Sequence, residues 1–180
     1  MVRTIEETSF WIEYVKGGCS EPHLLQQALL QAFLDIDVAL KLMQGQSNTD
    51  TSGCTSVIAV ITPKLIICAN AGDSRCVLGT NDNTKAMSED HKPNNPLELK
   101  RIEAAGGRVQ WKRVDGDLAV SRGLGDFHYK NRPDLRPSEQ KVIINLSSHS
   151  RVALCLLQNL EGYNSKLITL NNFSVSLPLT

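Results

Sequence analysis

The length, composition and charge of the chain exclude several classes of protein. Its 180 residues are 41% hydrophobic and 21% charged, which is enough apolar material for one core and too little length for two ordinary domains. Because the formal net charge is +0, no overall field favours nucleic acid or an anionic membrane as a partner.

Two further features of the sequence bear on the compartment. Glu6, Glu7 and Glu13 stand where a secretory signal would be basic and then apolar, and no apolar run approaches the roughly 18 residues that span a bilayer. The five cysteines are odd in number and show no CxxC spacing, which argues against a disulfide framework and a zinc knuckle. We therefore expect an intracellular protein, cytoplasmic or nuclear, with buried free thiols.

A first helix is predicted after Ser20-Glu21-Pro22, because a capping residue precedes a proline that fits the first turn. Polar residues that can remain in water, such as Gln27, Gln31, Asp35 and Lys41, occupy one face. The other face carries apolar residues at spacings of three and four, and we expect it to pack on the core: Leu25, Leu29, Ala32, Phe33, Ile36, Leu40 and Met43.

Three predicted strands follow the helix, the first two in β-branched runs. Two of them, residues 57–61 and 65–68, are separated by Thr62-Pro63-Lys64, and this short break predicts an antiparallel hairpin. The third strand, around Arg75 to Leu78, ends at the turn-prone residues 79–83. Strands joined by such short turns predict one antiparallel sheet rather than βαβ crossovers.

A second helix is predicted from Asn95, which can cap it, through Pro96 in the first turn, with Glu98 reaching back to the cap amide. It should turn Leu99, Ile102 and Ala105 inward and end at Gly106-Gly107, and a strand through Val109 and Trp111 should follow.

The last part of the chain divides into three segments. The glycine-rich residues 116–125 lack the spacing of a phosphate loop, so close backbone packing is the better interpretation. An irregular segment then leads to a predicted strand at 142–144. Beyond about Leu146 only three residues are charged, and the apolar runs 152–157 and 167–170 either pack as strands or derive from a shifted reading frame or an unspliced intron.

Three motifs in this order resemble the middle of a known family: Ser52-Gly53-Cys54-Thr55, then Ala69 to Arg75 with its Gly-Asp-Ser-Arg, then Asp115 to Asp126. They are similar to the type 2C protein phosphatases, the metal-dependent PPM-type serine/threonine phosphatases. The resemblance covers roughly residues 20–142. It implies an α+β fold, a partial αββα layered sandwich with antiparallel sheets flanked by helices, in which 1–145 form a partial phosphatase domain and 146–180 a divergent C-terminal tail.

The resemblance also implies an activity and a site. The activity is Mg²⁺- or Mn²⁺-dependent hydrolysis of phosphoserine and phosphothreonine in proteins by metal-bound hydroxide. By motif, Asp73 matches a residue that faces the metal centre, and Asp126 matches a supporting residue beside it. The alternative interpretations are a turn aspartate and a loop-stabilising hydrogen bond. Arg75 and Arg122 are expected to hold loops through carboxylates, and His91 to form a structural corner.

No catalytic residue is assigned from the sequence. The family's early acidic pair, its Asp-Gly-His-Gly-Gly segment and its late acidic motifs cannot be placed here, since Asp115-Gly116 is followed by Asp117 instead of histidine. Cys54 has no histidine or acidic partner that would indicate thiol catalysis. We therefore expect weak or absent metal binding and an inactive fragment. The alternatives are a non-catalytic binding protein and an inaccurate gene model.

Overall fold

The computed structural model describes residues 22–44, 51–61, 65–79 and 84–144, three isolated residues at 9, 12 and 16, and the backbone of three later strands. Two helices, α1 and α2, and eleven short strands, β1 to β11, make up these parts, with short 3₁₀ turns at Phe127–Tyr129 and Pro137–Glu139. In chain order they are α1 Pro22–Gln44, β1 Gly53–Cys54, β2 Ser56–Ile61, β3 Leu65–Ala71, β4 Cys76–Gly79, β5 Thr84–Ala86, α2 Pro96–Ala104, β6 Val109–Gln110, β7 Arg113–Val114, β8 Leu124–Gly125, β9 Ala153–Leu156, β10 Lys166–Thr169 and β11 Phe173–Ser176.

Helix α1 begins at Pro22, and its buried residues follow the predicted spacing for three turns. These are Leu25, Ala28, Leu29, Ala32 and Phe33. The prediction fails at the end of the helix, where Met43 is 65% exposed. The stripe also contains a buried charge, Asp37, which the sequence pattern did not reveal.

Strand β3 is the centre of the fold, and every one of its residues is buried. The predicted hairpin is confirmed, since β2 pairs antiparallel with β3 from Ser56↔Ala71 to Ile61↔Ile66. Because side chains alternate along a strand, the odd-numbered residues of β3 pack on α1, whereas Ile66 and Cys68 pack on Cys76, Leu78 and Met87 of the facing layer. A helix, a sheet and a second sheet therefore lie in successive layers, as an α+β sandwich requires.

The predicted three-stranded sheet is wrong in one respect. Strand β4 does not join β2 and β3 but lies in a separate sheet of order β11-β10-β4-β5, while the first sheet has the order β2-β3-β9. The cause is the turn after β3, where Gly72 has φ 116 and the chain crosses to the facing layer. Periodicity within each strand cannot reveal this crossing.

Helix α2 ends as predicted, with Gly106 at φ 77 after the last turn. It also begins as predicted, with Asn95 at the N-cap position and Pro96 in the first turn. The predicted capping hydrogen bonds are absent, because the Asn95 side chain donates to the carbonyl of Asp90 and Glu98 is buried against arginines instead of the cap amide. The predicted strand after α2 is present at Val109–Gln110, but it ends before Trp111. Strands β6 and β7 form a hairpin whose turn holds Trp111 at φ 51.

Residues 142–144 are buried, but only a single parallel bridge between Arg122 and Ile143 replaces the predicted strand. In the tail, β9 pairs with β3, and β10 pairs with β4 and β11. The two apolar runs of the tail thus adopt strand backbone. This does not test whether the tail derives from a shifted reading frame or an unspliced intron.

The expectation of buried free thiols is confirmed for Cys68 and Cys76. It is wrong for Cys54, which lies in strand β1 and is exposed. Cys19 lies outside the described residues, as does the side chain of Cys155. No helix in the described ranges has the length and apolar character needed to cross a bilayer.

Candidate functional site

The candidate site is organised around the short segment from Ser52 to Thr55. Strand β1 in this segment pairs with β8, so that Gly53 lies opposite Gly125, and the Ser52 carbonyl accepts a hydrogen bond of 3.0 Å from the Asp126 amide. A Cβ on Gly53 would overlap the Asp126 carboxylate. Glycine is therefore required at 53 because the acidic side chain lies directly against the backbone.

The second motif loop contacts the same segment. A Cβ on Gly72 would overlap the Thr55 side chain, and the hydroxyls of Thr55 and Ser74 lie 2.7 Å apart. The loop that carries Asp73 and the loop that carries Asp126 therefore converge on residues 53–55. Their approach depends on glycine at both points of contact.

Asp73 lies at the partly exposed edge of this site, with 33% of its side chain accessible. Its carboxylate forms an ion pair with Lys92, whose side chain is 38% exposed. A cation of the protein itself thus already neutralises the carboxylate for which the motif implies a metal.

Asp126 has a more buried environment. Burial raises the pKa of its carboxyl; the positive charge of Lys130 opposes this shift, whereas Asp117 and Asp37 add to it. The side chain therefore lies where an anion is unfavourable unless a positive charge accompanies it. The backbone of Asp126 is left-handed, with φ 51.

An ion pair absent from the sequence predictions holds the loop before Asp126. Asp37 of α1 accepts two hydrogen bonds of 2.8 Å from Lys130 and one of 2.9 Å from the Gly125 amide. Lys130 also donates to the Gly123 carbonyl at 2.8 Å. The sequence did contain a signal for this pair. Asp37 falls in the apolar stripe of α1, four positions after Phe33, and a charge in such a position is buried only when it has a partner.

A second buried cluster centres on Glu98 of α2. Arg122 donates to its carboxylate at 2.6 Å, Arg101 at 2.7 Å and the Ser121 hydroxyl at 2.6 Å. Burial would raise the pKa of Glu98, but the hydrogen bond from Arg122 and the two guanidinium charges lower it to about 2. This cluster fixes the start of the loop that ends at Asp126.

The structural corner expected at His91 is confirmed. The His91 amide donates to the Gly72 carbonyl at 2.9 Å, and the Gly72 amide lies 3.1 Å from Nδ1. Burial, with the charge of Arg122, lowers the pKa of His91 to about 4.

Arg75 forms a bidentate pair with Asp90 at 2.7 and 2.8 Å, so both arginines that were expected to hold loops contact carboxylates.

The described residues contain no group of three or more His, Cys, Asp or Glu side chains placed to hold a metal ion. Asp73 and Asp126 lie on loops that meet at one strand, but two carboxylates fall short of the several oxygen ligands that a pair of divalent ions requires. The side chains present do not fit a complete dinuclear centre.

A separate cavity of about 510 Å³ lies between α1 and residues 127–144 and is lined mainly by apolar side chains.

Comparison with known proteins gives a consistent result. Residues 3–154 match the family model described as "Protein phosphatase 2C". The chain is 48% identical over 118 residues to protein phosphatase 2C homolog 2 of Aspergillus fumigatus, covering 66% of this chain and 27% of that protein. It is 45% identical over 137 residues to the homolog 2 of Schizosaccharomyces pombe, covering 76% and 34%.

A shorter relative and a solved structure extend the comparison. Protein phosphatase 2C 1 of Paramecium tetraurelia is 42% identical over 147 residues, covering 76% of this chain and 49% of that protein. The chain thus spans about a quarter to a half of the length of these relatives. The crystal structure of a serine-threonine phosphatase 2C from Toxoplasma gondii superposes with a TM-score of 0.66 at 21% identity, covering 94% of this chain and 57% of that one, which shows a shared fold.

Proposed function

The chain belongs to the protein phosphatase 2C family, and from that membership we propose that segment 52–55 and the loops that carry Asp73 and Asp126 form part of a site for dephosphorylating phosphoserine and phosphothreonine in proteins. The observation that carries the proposal is the convergence of the Asp73 and Asp126 loops on residues 53–55. The Asp126 carboxylate packs against the Gly53 backbone and the Asp73 loop contacts Thr55, so both acidic loops border one short segment.

The proposed cofactor is Mg²⁺ or Mn²⁺, which supplies an activated water for phosphate-ester hydrolysis. We propose Asp73 as the residue of this chain that contacts the metal and Asp126 as a supporting residue beside it. Since the described residues do not supply a full set of ligands, no catalytic step is assigned to them. Metal binding by this chain should be weak.

We further propose that the 180 residues alone have little or no phosphatase activity. The sequence contains no Asp-Gly-His-Gly-Gly segment, and neither an arginine for the phosphate nor a proton donor for the leaving group is assigned. Positioning and proton transfer each contribute orders of magnitude in rate, so losing both should abolish measurable turnover.

The direct test measures hydrolysis of a phosphothreonine peptide and an aryl phosphate by the purified chain at millimolar Mn²⁺. We expect no turnover, with the Schizosaccharomyces pombe relative as the positive control. Metal-dependent turnover that disappears in an Asp73→Ala variant would contradict the proposal of inactivity and would require ligands that are not recognised here.

A chimera tests the site itself. Residues 52–144 of this chain replace the matching segment of the Schizosaccharomyces pombe relative, which supplies its own flanking regions. We expect metal-dependent activity that is lost in Asp73→Ala and retained in Leu97→Ala, a substitution of a 58% exposed side chain on α2. If the folded chimera with Asp73→Ala stays as active as its parent, Asp73 has no metal role.

A non-catalytic function is the second candidate, and the ion pair between Lys92 and Asp73 favours it. A carboxylate already neutralised by a lysine has less need of a metal ion. In this case the chain would bind phosphoproteins or another partner without hydrolysis. A folded chimera without activity, together with binding of a phosphothreonine peptide to the chain in EDTA, would favour this alternative.

A further inference from the structure

The hairpin formed by β6 and β7 presents the most exposed of the large apolar side chains in the described parts. Trp111 is 84% accessible at the tip of this hairpin. Single exposed apolar residues are common on protein surfaces, so exposure alone indicates no function. The backbone beneath Trp111 and the charges around it provide the further evidence.

The backbone at the tip is unusual for its sequence. Strands β6 and β7 pair at Gln110↔Arg113, so Trp111 and Lys112 form a two-residue turn, with φ 51 and φ 64. Turns with both central residues at positive φ favour Asn-Gly or related pairs, because other side chains are strained there. Stability alone does not explain tryptophan and lysine at these positions, and strained residues that persist are enriched at functional sites.

The indole ring is also supported in its exposed position. A Cβ on Gly116 would lie 3.5 Å from Cζ3 of Trp111, so the ring rests over a residue without a side chain. One edge of the ring thus lies near the Gly116 backbone, and most of the ring surface is open to a partner.

The charges around the ring have one prevailing sign. Residues 108–117 and the adjoining Lys141 contain four cationic side chains and two carboxylates, a formal excess of two positive charges in a chain whose net charge is +0. The two carboxylates are engaged: Asp115 accepts from Lys141 at 2.8 Å and Asp117 from the Tyr129 hydroxyl at 2.8 Å. Arg108, Lys112 and Arg113 are exposed.

From this combination we propose that the Trp111 hairpin docks an acidic segment of a partner protein that carries an apolar side chain. The apolar side chain would pack on the indole ring, and neighbouring carboxylates would pair with Arg108, Lys112 and Arg113. Tryptophan and arginine are the residue types most enriched at the energetic centres of protein interfaces. None of these four residues is proposed to contact the metal, so binding at this surface can be tested without phosphate or metal.

The test uses fluorescence anisotropy of a labelled, unphosphorylated peptide of alternating Glu and Leu in EDTA. Two matched peptides replace Glu by Gln or Leu by Ser. The intact chain should bind the Glu/Leu peptide, and each replacement should weaken binding by about tenfold or more, as expected when an interface loses a central contact. Equal binding of all three peptides would overturn the proposal, as would no binding of the Glu/Leu peptide.

Variants separate docking from folding. Trp111→Asn suits the turn and should weaken binding by about tenfold or more without lowering the melting temperature. Leu97→Ala, which removes an exposed apolar side chain elsewhere, should leave binding unchanged. As a second readout, the emission of Trp111 in a Trp11→Phe variant should shift to shorter wavelength when the peptide binds. Unchanged affinity in Trp111→Asn, or displacement of the peptide by an RNA oligonucleotide or anionic vesicles at lower concentration, would contradict the proposal.

Discussion

Two neighbouring segments of this chain hold non-glycine residues in left-handed backbone, and their surroundings differ. In the loop that ends at Asp126, with φ 51, buried ion pairs of Asp37 and Glu98 fix the residues on either side. In the hairpin tip, Trp111 and Lys112 lie in solvent at φ 51 and φ 64. Each such residue costs about 1–2 kcal/mol. The loop offsets that cost with buried contacts, whereas the exposed hairpin has few, which makes the hairpin the stronger candidate for a role outside folding.

The largest expected effect comes from Glu98→Ala, which should lower the free energy of unfolding by about 3–5 kcal/mol because it leaves Arg122 and Arg101 buried without their carboxylate. Urea unfolding measures the change. Arg75→Ala removes an equally well-formed pair at a side chain that is 59% exposed, and its cost should be much smaller because solvent screens the pair. Equal losses in the two variants would show that burial of the Glu98 cluster adds nothing to its contribution to stability.

The pH dependence of stability should report the corner at His91. Its folded pKa of about 4 lies below the ordinary value of 6.5, so the unfolded chain binds the extra proton between these values. The stabilisation is present above pH 6.5 and should fall by about 3 kcal/mol as the pH is lowered to 4.

A His91→Gln variant provides the control for this prediction, because glutamine can hydrogen-bond but does not titrate. The comparison concerns the slope of unfolding free energy against pH, since the substitution changes stability at every pH. Parallel slopes for the two proteins would mean that His91 accepts a proton in the folded state as readily as in the unfolded one.

Sequence patterns predicted those parts of the fold that depend on neighbouring residues. The β2–β3 hairpin and the end of α2 at Gly106 follow from local turn chemistry. The placement of β4 in the second sheet and the pairing of Asp37 with Lys130 depend on residues far apart in the chain. Neither periodicity nor a local motif reports which distant residues come into contact. The family motifs therefore located Asp73 and Asp126 but not the ion pairs that hold their loops.

A smaller effect is expected from Gly53→Ala, because its Cβ would overlap the Asp126 carboxylate. Overpacking of this kind typically costs about 1–3 kcal/mol. Thermal unfolding of Gly53→Ala, Asp126→Ala and the double variant measures the interaction. The double variant should lose less than the sum of the single losses, because removing the carboxylate clears the space for the new methyl group. Strict additivity would place the Asp126 side chain away from Gly53.

The smallest effect, and the only stabilising one, is expected at the hairpin. Glycine adopts positive φ without the steric cost that Lys112 bears at φ 64, but it also gives the unfolded chain more freedom, so Lys112→Gly should raise the free energy of unfolding by about 0.5–1 kcal/mol. Lys112→Ala controls for loss of the charge, since alanine retains the Cβ that causes the strain. If the glycine variant is no more stable than the alanine variant, the tip carries no strain, and the contrast between the hairpin and the Asp126 loop disappears. If it is more stable, the sequence retains lysine against a stability gain, as expected for a surface that contacts an acidic partner.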